Sequence, residues 1–237
     1  MRTLASLAFV MILASVAAAQ SLTAFPAKLA IRGTDDAPQL LVTAKTSTRE
    51  LDATAKAKYA VANASICRVD ETGRVFPNAN GSTTITATVD GQSVTVPVGV
   101  SGMEAPRPIN FANQIEPILT KLACNSGGCH GKIQGQNGFR LSLLGFDPEL
   151  DYMTLLKESR GRRLMPASPD ASLFLTKATG KVPHGGGKKL EPNGEEYKVL
   201  RRWIAAGMPY GEPTDPTITK VVVHPESRVI DRQGRQQ

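Results

Sequence analysis

Hydrophobic and polar residues follow two different periods along this chain of 237 residues. Between about residues 22 and 101, short runs rich in β-branched residues are separated by turn signals, which predicts strands. Between about residues 110 and 211, apolar residues recur every three or four positions, which predicts helices. The expected fold class is therefore multidomain: an all-β sandwich, a proline-containing linker over 102–109, and a small all-α domain.

The β segment shows its clearest runs at 39–44, 83–89 and 93–98. Asp90-Gly91 lies between two of these runs and is a strong hairpin signal. Short strands at this spacing over about 80 residues are typical of a sandwich of the immunoglobulin type. Cys67 lies in one strand-like run, where a lone cysteine is expected to be a small buried hydrophobic residue.

The helical segment is predicted to begin with a helix that Asn110 caps and Pro117 bends. A second amphipathic helix is predicted from about Glu195, and Gly207 ends it. Phe111 and Trp203 are expected to meet where these two helices cross. Shorter helices are predicted around 147–158 and 169–178. The apolar content is low for about 100 residues, which favours a large apolar cofactor that completes the core.

The first 19 residues have the pattern of a secretory signal peptide. Arg2 is the basic residue, Leu4–Val16 is apolar but too short to span a bilayer, and Ala17–Ala19 offer a cleavage site before Gln20. The mature chain is therefore expected in the periplasm or elsewhere outside the cytoplasm. No later stretch is apolar enough to predict a membrane span.

The formal charge of +7 is compatible with an acidic partner protein, whereas 5% aromatic residues without a long basic run argues against nucleic acid. Several basic residues lie in loops of the helical segment, where they could form an electron-transfer face or an ordinary solvated surface. They are Lys132, Arg160, Arg162, Arg163, Lys188 and Lys189.

The most informative motif is Cys124-x4-Cys129-His130. Covalent attachment of a c-type haem needs two thiols for its vinyl groups and an adjacent histidine for the iron, usually with two residues between the cysteines. Four residues separate them here. Gly127 and Gly128 are expected to accommodate the two extra positions without strain.

Three other interpretations of this motif stay open. A Cys124–Cys129 disulfide would close the loop without any cofactor. A zinc site would need further ligands, and only His184 and His224 remain as histidines. A thiol redox pair usually has two residues between the cysteines beside a βαβ unit, and neither feature is present.

A haem iron held by His130 would need a second axial ligand from the segment before the last helix. We expect His184 in this role, because Pro183 and three following glycines let the chain pass close to the ring. Met165, which precedes Pro166, is the alternative. Met208 follows the last helix and lies at the wrong end.

The β segment resembles the group 2 bacterial immunoglobulin-like domain. The matching stretches are 22–26 (LTAFP), 39–44 (QLLVTA), 69–75 (VDETGRV) and 81–87 (GSTTITA). The resemblance implies a spacer or adhesion module over 22–101, with a cell-surface glycan or protein as a possible partner. Residues 212–237 resemble the start of a second, truncated repeat, with a strand pattern over 218–225. Because one strand cannot bury its own face, we expect this segment to be poorly ordered or paired only as a lone strand.

Residues 110–211 resemble the cytochrome c-like domain of large exported planctomycete proteins. The matching stretches are 111–119, 124–131, 135–143, 161–163, 169–173, 177–180, 183–187 and 202–209. The resemblance implies one covalent haem c, attached at Cys124 and Cys129 with His130 as proximal ligand.

Three functions follow as hypotheses. The first is a non-enzymatic electron carrier on an Ig-like spacer, with an acidic redox partner protein. The second is a cell-surface or polysaccharide-binding protein whose helical domain is closed by a disulfide and holds no haem. The third is an enzyme with an open haem coordination site.

Overall fold

The computed structural model describes residues 21–104, 107–230, 232 and 235–236. The predicted signal peptide over 1–19 lies outside the described residues. The chain divides into two compact units. One, here called the β unit, comprises residues 1–105 and 224–237, and the other, the helical unit, comprises residues 106–223. Each unit is described by itself.

Nine strands make up the β unit in its described part. They are β1 (Ser21–Phe25), β2 (Leu29–Arg32), β3 (Leu41–Lys45), β4 (Glu50–Asp52), β5 (Lys58–Val61), β6 (Cys67–Val69), β7 (Val75–Pro77), β8 (Gly81–Val89) and β9 (Gln92–Ser101). One sheet has the order β1-β3-β4, a second has β2-β9-β8-β5, and β6 pairs with β7. This arrangement confirms the predicted Ig-like β-sandwich.

Alternation of side chains builds the core of this sandwich. Every second residue of β9, namely Val96, Val98 and Val100, is buried, and the residues between them face outward. Cys67 is completely buried among these valines and their neighbours. It is a free thiol, as predicted for a small core residue, and burial raises its pKa above the usual range.

Asp90 and Gly91 form the two-residue turn between β8 and β9. Both have positive φ, at 49° and 80°. Two consecutive residues in this region give the turn a backbone twist that matches the flanking strands, which is why Asp-Gly is favoured there. The hairpin predicted from the sequence is thus confirmed.

The strand pattern over 218–225 forms no strand. Residues 212–230 contain no strand, and Val221, Val222 and Val223 are exposed. A strand needs a paired neighbour to satisfy its backbone groups, and no strand pairs with this segment among the described residues. Further along, the His224 ring stacks on Phe25 of the β unit, with 3.8 Å between ring centroids.

The helical unit begins with a π-helical turn over Phe111–Ile115. The helices that follow are α1 (Glu116–Lys121), α2 (Pro148–Leu156), α3 (Leu173–Ala178) and α4 (Glu195–Ala205). Asn110 caps the first turn by accepting a hydrogen bond from the Asn113 amide at 3.0 Å. Pro117 lies where this turn passes directly into α1, and without an N–H it cannot donate to a carbonyl of the preceding turn. The predicted cap is confirmed, and the predicted bend stays a prediction.

A single apolar cluster joins these helices. The Phe111 and Trp203 rings meet with 5.5 Å between centroids, as predicted for the contact between the first and last helices. The Trp203 indole also donates a hydrogen bond to the Pro209 carbonyl at 2.9 Å. Leu119 and Leu200 are fully buried in the same cluster.

Gly73 offers a test of packing in the β unit. It has φ +82°, and a Cβ there would lie 2.8 Å from the Tyr59 hydroxyl and 2.9 Å from the Leu40 carbonyl. Gly91 has a nearly equal φ of +80°, with nothing within 4 Å of its Cβ position. Gly91→Ala should therefore cost only the left-handed backbone penalty of about 1–2 kcal/mol. Gly73→Ala should add a crowding cost of about 1–3 kcal/mol.

Thermal unfolding of the two variants, followed by the circular dichroism of the strands, measures this difference. Equal losses of stability in the two variants would contradict the close packing around Gly73.

Candidate functional site

The helical unit contains a cavity of about 460 Å³. Two thiols, Cys124 and Cys129, and two imidazoles, His130 and His184, line it. The remaining lining residues are Gly128, Gln136, Asn137, Phe139, Arg162, Arg163, Leu173, Phe174, Lys177, Ala178, Gly185, Gly186 and Lys189. This volume lies within the range of about 300–1,000 Å³ that is usual for cofactor sites.

The end of α1 positions the first cysteine. The Cys124 amide donates to the Leu119 carbonyl at 2.8 Å, and the Ala123 amide donates to the Thr120 carbonyl at 3.0 Å. This pair of bonds is the Schellman motif, with Ala123 in the left-handed conformation at φ +57°. The motif ends the helix and turns the chain so that Cys124 packs against the edge of the apolar cluster.

Hydrogen bonds close the attachment loop, defined here as residues 124–130. The His130 amide donates to the Cys124 carbonyl at 3.0 Å, and the Cys129 amide donates to the Ser126 carbonyl at 2.9 Å. Gly131 then passes so close to the loop that a Cβ there would lie 1.9 Å from the Asn125 carbonyl oxygen. The loop therefore requires glycine at position 131.

The expected role of Gly127 and Gly128 in relieving strain is wrong. Neither has a positive φ, and a Cβ at Gly127 would meet its nearest atom, in Leu143, at 3.8 Å. A Cβ at Gly128 would meet nothing within 4 Å. The position in this loop that requires glycine is 131, where the backbone passes against the Asn125 carbonyl.

The two imidazoles are nearly parallel. The ring centroids of His130 and His184 are 6.3 Å apart, and the ring planes differ by 9°. The Nδ1 atom of His130 lies 2.9 Å from the Phe139 carbonyl, and that of His184 lies 2.8 Å from the Gly187 carbonyl. Because a carbonyl only accepts hydrogen bonds, Nδ1 carries a proton in each ring, and the neutral form of each ring has its lone pair on Nε2.

Burial sets the protonation of this site. Desolvation lowers the pKa of His130, which favours the neutral imidazole that binds metals. Desolvation, with the nearby Cys129 thiol, raises the pKa of Cys124 to about 11. A redox-active thiol pair needs a lowered pKa, so these surroundings do not suit that chemistry.

The basic residues near the cavity differ in their roles. Arg163 was expected on an exposed basic face, but it is buried, and its guanidinium donates to the carbonyls of Thr154 and Gly138, both at 2.8 Å. It also lies over the Phe139 ring, 4.6 Å from the centroid. Arg163 is therefore a structural residue that fixes Phe139. Arg162 stays exposed at the cavity, and Lys132, Arg160 and Lys188 are also exposed.

Met165 and Met208 do not line the cavity. Met165 is 48% exposed, and Met208 packs against the edge of the apolar cluster. All three cysteines are free thiols, so no disulfide joins Cys124 and Cys129 in this structure. In the described part of the chain, no group of three or more His, Cys, Asp or Glu side chains is suited to a metal ion.

Sequence reasoning missed a buried polar cluster behind the attachment loop. Asn125 is fully buried, and its amide donates to Glu116 Oε1 at 2.9 Å and to Thr120 Oγ1 at 2.8 Å. Asp151 is also fully buried and accepts hydrogen bonds from the Ser142 amide and hydroxyl. Desolvation, followed by the charge of Asp151, raises the pKa of Glu116 to about 7. Glu116 stands three residues before the buried Leu119, a helical spacing that could have indicated its burial.

Comparison with known proteins identifies one region. The sequence profile of the bacterial Ig-like domain (group 2) matches residues 34–100, which confirms the prediction for that segment. Domains of this group are typically extracellular or located at the cell surface. None of the curated proteins matches the chain. Among residues that the structure describes, no helix has the length and apolarity of a membrane span.

Among solved structures, the crystal structure of the intimin–Tir90 complex is similar at 18% identity with a TM-score of 0.20. The similarity covers 47% of this chain and 62% of that chain. A likeness of this size carries no argument about function.

Gly131 and Gly127 provide a matched test of the attachment loop. Gly131→Ala should destabilise the helical unit by about 1–3 kcal/mol or more, because its Cβ would meet a backbone oxygen that cannot move aside. Gly127→Ala should change stability by well under that amount, because its Cβ would make an ordinary contact.

Urea unfolding followed by Trp203 fluorescence measures both effects, since this single tryptophan lies in the core of the helical unit. A Gly131→Ala variant as stable as Gly127→Ala would contradict the described loop.

Proposed function

We propose that the helical unit is a mono-haem cytochrome c module that transfers electrons outside the cytoplasm. One observation carries the proposal: two thiols and two parallel imidazoles, each with Nε2 available, line the same cavity. Cys124 and Cys129 would form the thioethers, His130 would bind the iron from the proximal side, and His184 would bind it from the distal side.

The distance between the two rings is that expected if one metal ion bonds to the Nε2 atoms of both. A bond from a first-row metal to an imidazole nitrogen is about 2.0 Å, so two such bonds account for about 4 Å. The distance from each ring centre to its own Nε2 accounts for the remainder of the 6.3 Å between centroids. Carbonyl acceptors at both Nδ1 atoms are the outer partners that metal-bound histidines usually have.

The other walls of the cavity fit the macrocycle. Phe139, Leu173 and Phe174 supply apolar contacts for its faces and edges. Arg162, Lys177 and Lys189 supply positive charge for its two propionate carboxylates, and no Asp or Glu is among the lining residues that the structure describes. A zinc ion or a disulfide would need neither a cavity of this size nor these walls.

Two protein ligands favour electron transfer over catalysis. A bound haem supplies one-electron chemistry at its iron, and two axial ligands from the protein leave no open position for a substrate. The Lys177 ammonium donates to the Pro183 carbonyl at 2.7 Å and so holds the segment that carries His184. This bond would help to keep His184 in place through changes of oxidation state, as a carrier requires.

The Ig-like domain is proposed as the spacer for this module. Its family is typically found at the cell surface or outside the cell, the compartment in which haem c is attached. We infer a redox partner protein with an acidic docking face, because Arg162 is exposed at the cavity and Lys132 and Arg160 are exposed within two residues of its lining in the sequence. A cell-surface glycan or protein that binds the Ig-like domain is the second candidate partner, on the strength of the family match alone.

A pyridine haemochrome spectrum tests the proposal. Chain matured in a host with haem-attachment machinery should give the spectrum of haem held by two thioethers. Cys124→Ala or Cys129→Ala should give the shifted band of a single thioether, because one vinyl group then stays free. Cys67→Ala is the matched control and should give the wild-type spectrum, since Cys67 is buried in the β unit. Wild-type chain without haem under these conditions would overturn the proposal.

The distal ligand has its own test. Oxidised wild-type protein should lack the weak far-red absorption band of methionine-ligated iron, and its reduction potential should be low because a second imidazole replaces methionine. His184→Met should introduce the band and raise the potential, whereas Met165→Ala should change neither. If wild-type protein has the band and Met165→Ala loses it, His184 is not the ligand.

A further inference from the structure

The carboxyl groups of Glu116 and Asp151 are buried together without a basic partner. Glu116 is 4% exposed on α1, and Asp151 is fully buried on α2. Among described residues, no Lys, Arg or His forms an ion pair with either group. The Oε2 atom of Glu116 is buried and accepts no hydrogen bond. Two neighbouring carboxylates in such a place repel each other, so one of them binds a proton more readily than an exposed carboxyl does.

A proton balances the negative charge of this carboxyl pair better than a metal ion would. A metal ion lacks the necessary ligands, because Asp151 already accepts two hydrogen bonds from Ser142 and no metal-binding group is present in the described residues. Glu116 Oε1 accepts from Asn125 at 2.9 Å, which leaves Oε2 as the atom that carries the proton. Asp151, with its two donors, keeps the negative charge.

Asn125 connects this pair to the proposed haem site. It stands next to Cys124 within the attachment loop, and its side chain holds the Glu116 carboxyl against the back of that loop. Its backbone carbonyl also accepts the Leu144 amide at 3.0 Å, which fixes the turn that covers Glu116. A change of charge in the cavity therefore acts on the carboxyl pair across a few fixed groups in a dry region, where electrostatic interactions are strong.

We propose that Glu116, paired with Asp151, binds a proton whenever the helical unit accepts an electron. The inference rests on the proposed function. One electron from the redox partner protein enters the cavity, one proton from the solvent binds Glu116 Oε2, and both leave on oxidation, so that charge balances in each direction. The chain would thus be a proton-coupled electron carrier.

The groups around Glu116 favour this direction of coupling. Asp151 faces it from α2, and Tyr210 faces it from the segment after α4. Cys124 also lies near it, but a cysteine sulfur that forms a thioether has no proton to release. The 143–145 turn contributes no charged group. Its Gly145 lies so close to Glu116 that a Cβ there would meet the Glu116 side chain at 2.8 Å. No cation of the described residues forms an ion pair with Glu116, and an added electron in the cavity would strengthen the binding of the proton.

Spectroelectrochemical titration of the haem-loaded full chain at a series of pH values tests the inference. The reduction potential should fall as pH rises through neutrality, by at most about 59 mV for each tenfold fall in proton concentration. Glu116→Gln keeps the acceptor for Asn125 and should abolish this slope. Glu149→Gln, an equal change of charge at an exposed position of α2, should keep it. Asp151→Asn should move the slope to lower pH, because Glu116 then lacks its negative neighbour.

Infrared difference spectra give a second readout. In wild-type protein, reduction at neutral pH should add the C=O band of a protonated carboxyl, and this result needs no variant to fold. The band should be absent in Glu116→Gln. A haem-loaded chain whose potential does not change with pH would overturn the inference and leave the proposed function intact. A slope that persists in Glu116→Gln would assign the proton to another group and would equally overturn it. A chain that binds no haem would instead contradict the proposed function.

Discussion

The proposed activity depends on the hydrogen bonds that the two histidine rings make to backbone carbonyls. Each Nδ1 is held by a carbonyl, at Phe139 for His130 and at Gly187 for His184. These two bonds place a proton on each Nδ1 and hold each ring, and the proposed haem iron would bind both Nε2 atoms. Other residues of the helical unit position those carbonyls. The Arg163 guanidinium packs on the Phe139 ring, and the Lys177 ammonium donates to the Pro183 carbonyl, next to His184.

The polar groups of the unit divide into those that face the cavity and those that lie behind it. The cavity has basic residues and no acidic ones among its described lining, whereas the region behind the attachment loop has two buried carboxyls and no basic partner. Asn125 lies between these two regions: it follows Cys124 in the sequence, and its side chain donates to Glu116. This asymmetry explains how one short loop can serve both the proposed attachment of the cofactor and the proposed uptake of a proton.

The sequence predicted the features that local physics determines. The Asp90-Gly91 turn, the Asn110 cap and the start of α4 at Glu195 all depend on neighbouring residues, and all three were found as expected. Phe111 and Trp203 were matched correctly because large aromatic residues on two amphipathic helices must bury the same surface. The site residues Cys124, Cys129, His130 and His184 lie at one cavity, and their roles stay a prediction.

What the sequence could not predict depends on contacts between distant residues. The burial of Arg163 follows from carbonyls on other segments that accept its hydrogen bonds, and no local pattern indicates them. The glycine requirement at 131 rather than 127 follows from how closely the chain returns to Asn125. The stacking of His224 on Phe25 also joins residues that are far apart in the sequence, and the strand pattern over 218–225 did not indicate it.

The central claim is that Cys124 and Cys129 hold a haem covalently, and the intact mass of the matured chain tests it most directly. The account predicts the polypeptide mass plus that of one haem, with the added mass carried by the proteolytic peptide that contains Cys124 to His130. A chain with the mass of the bare polypeptide, less two hydrogens for a Cys124–Cys129 disulfide, would contradict it.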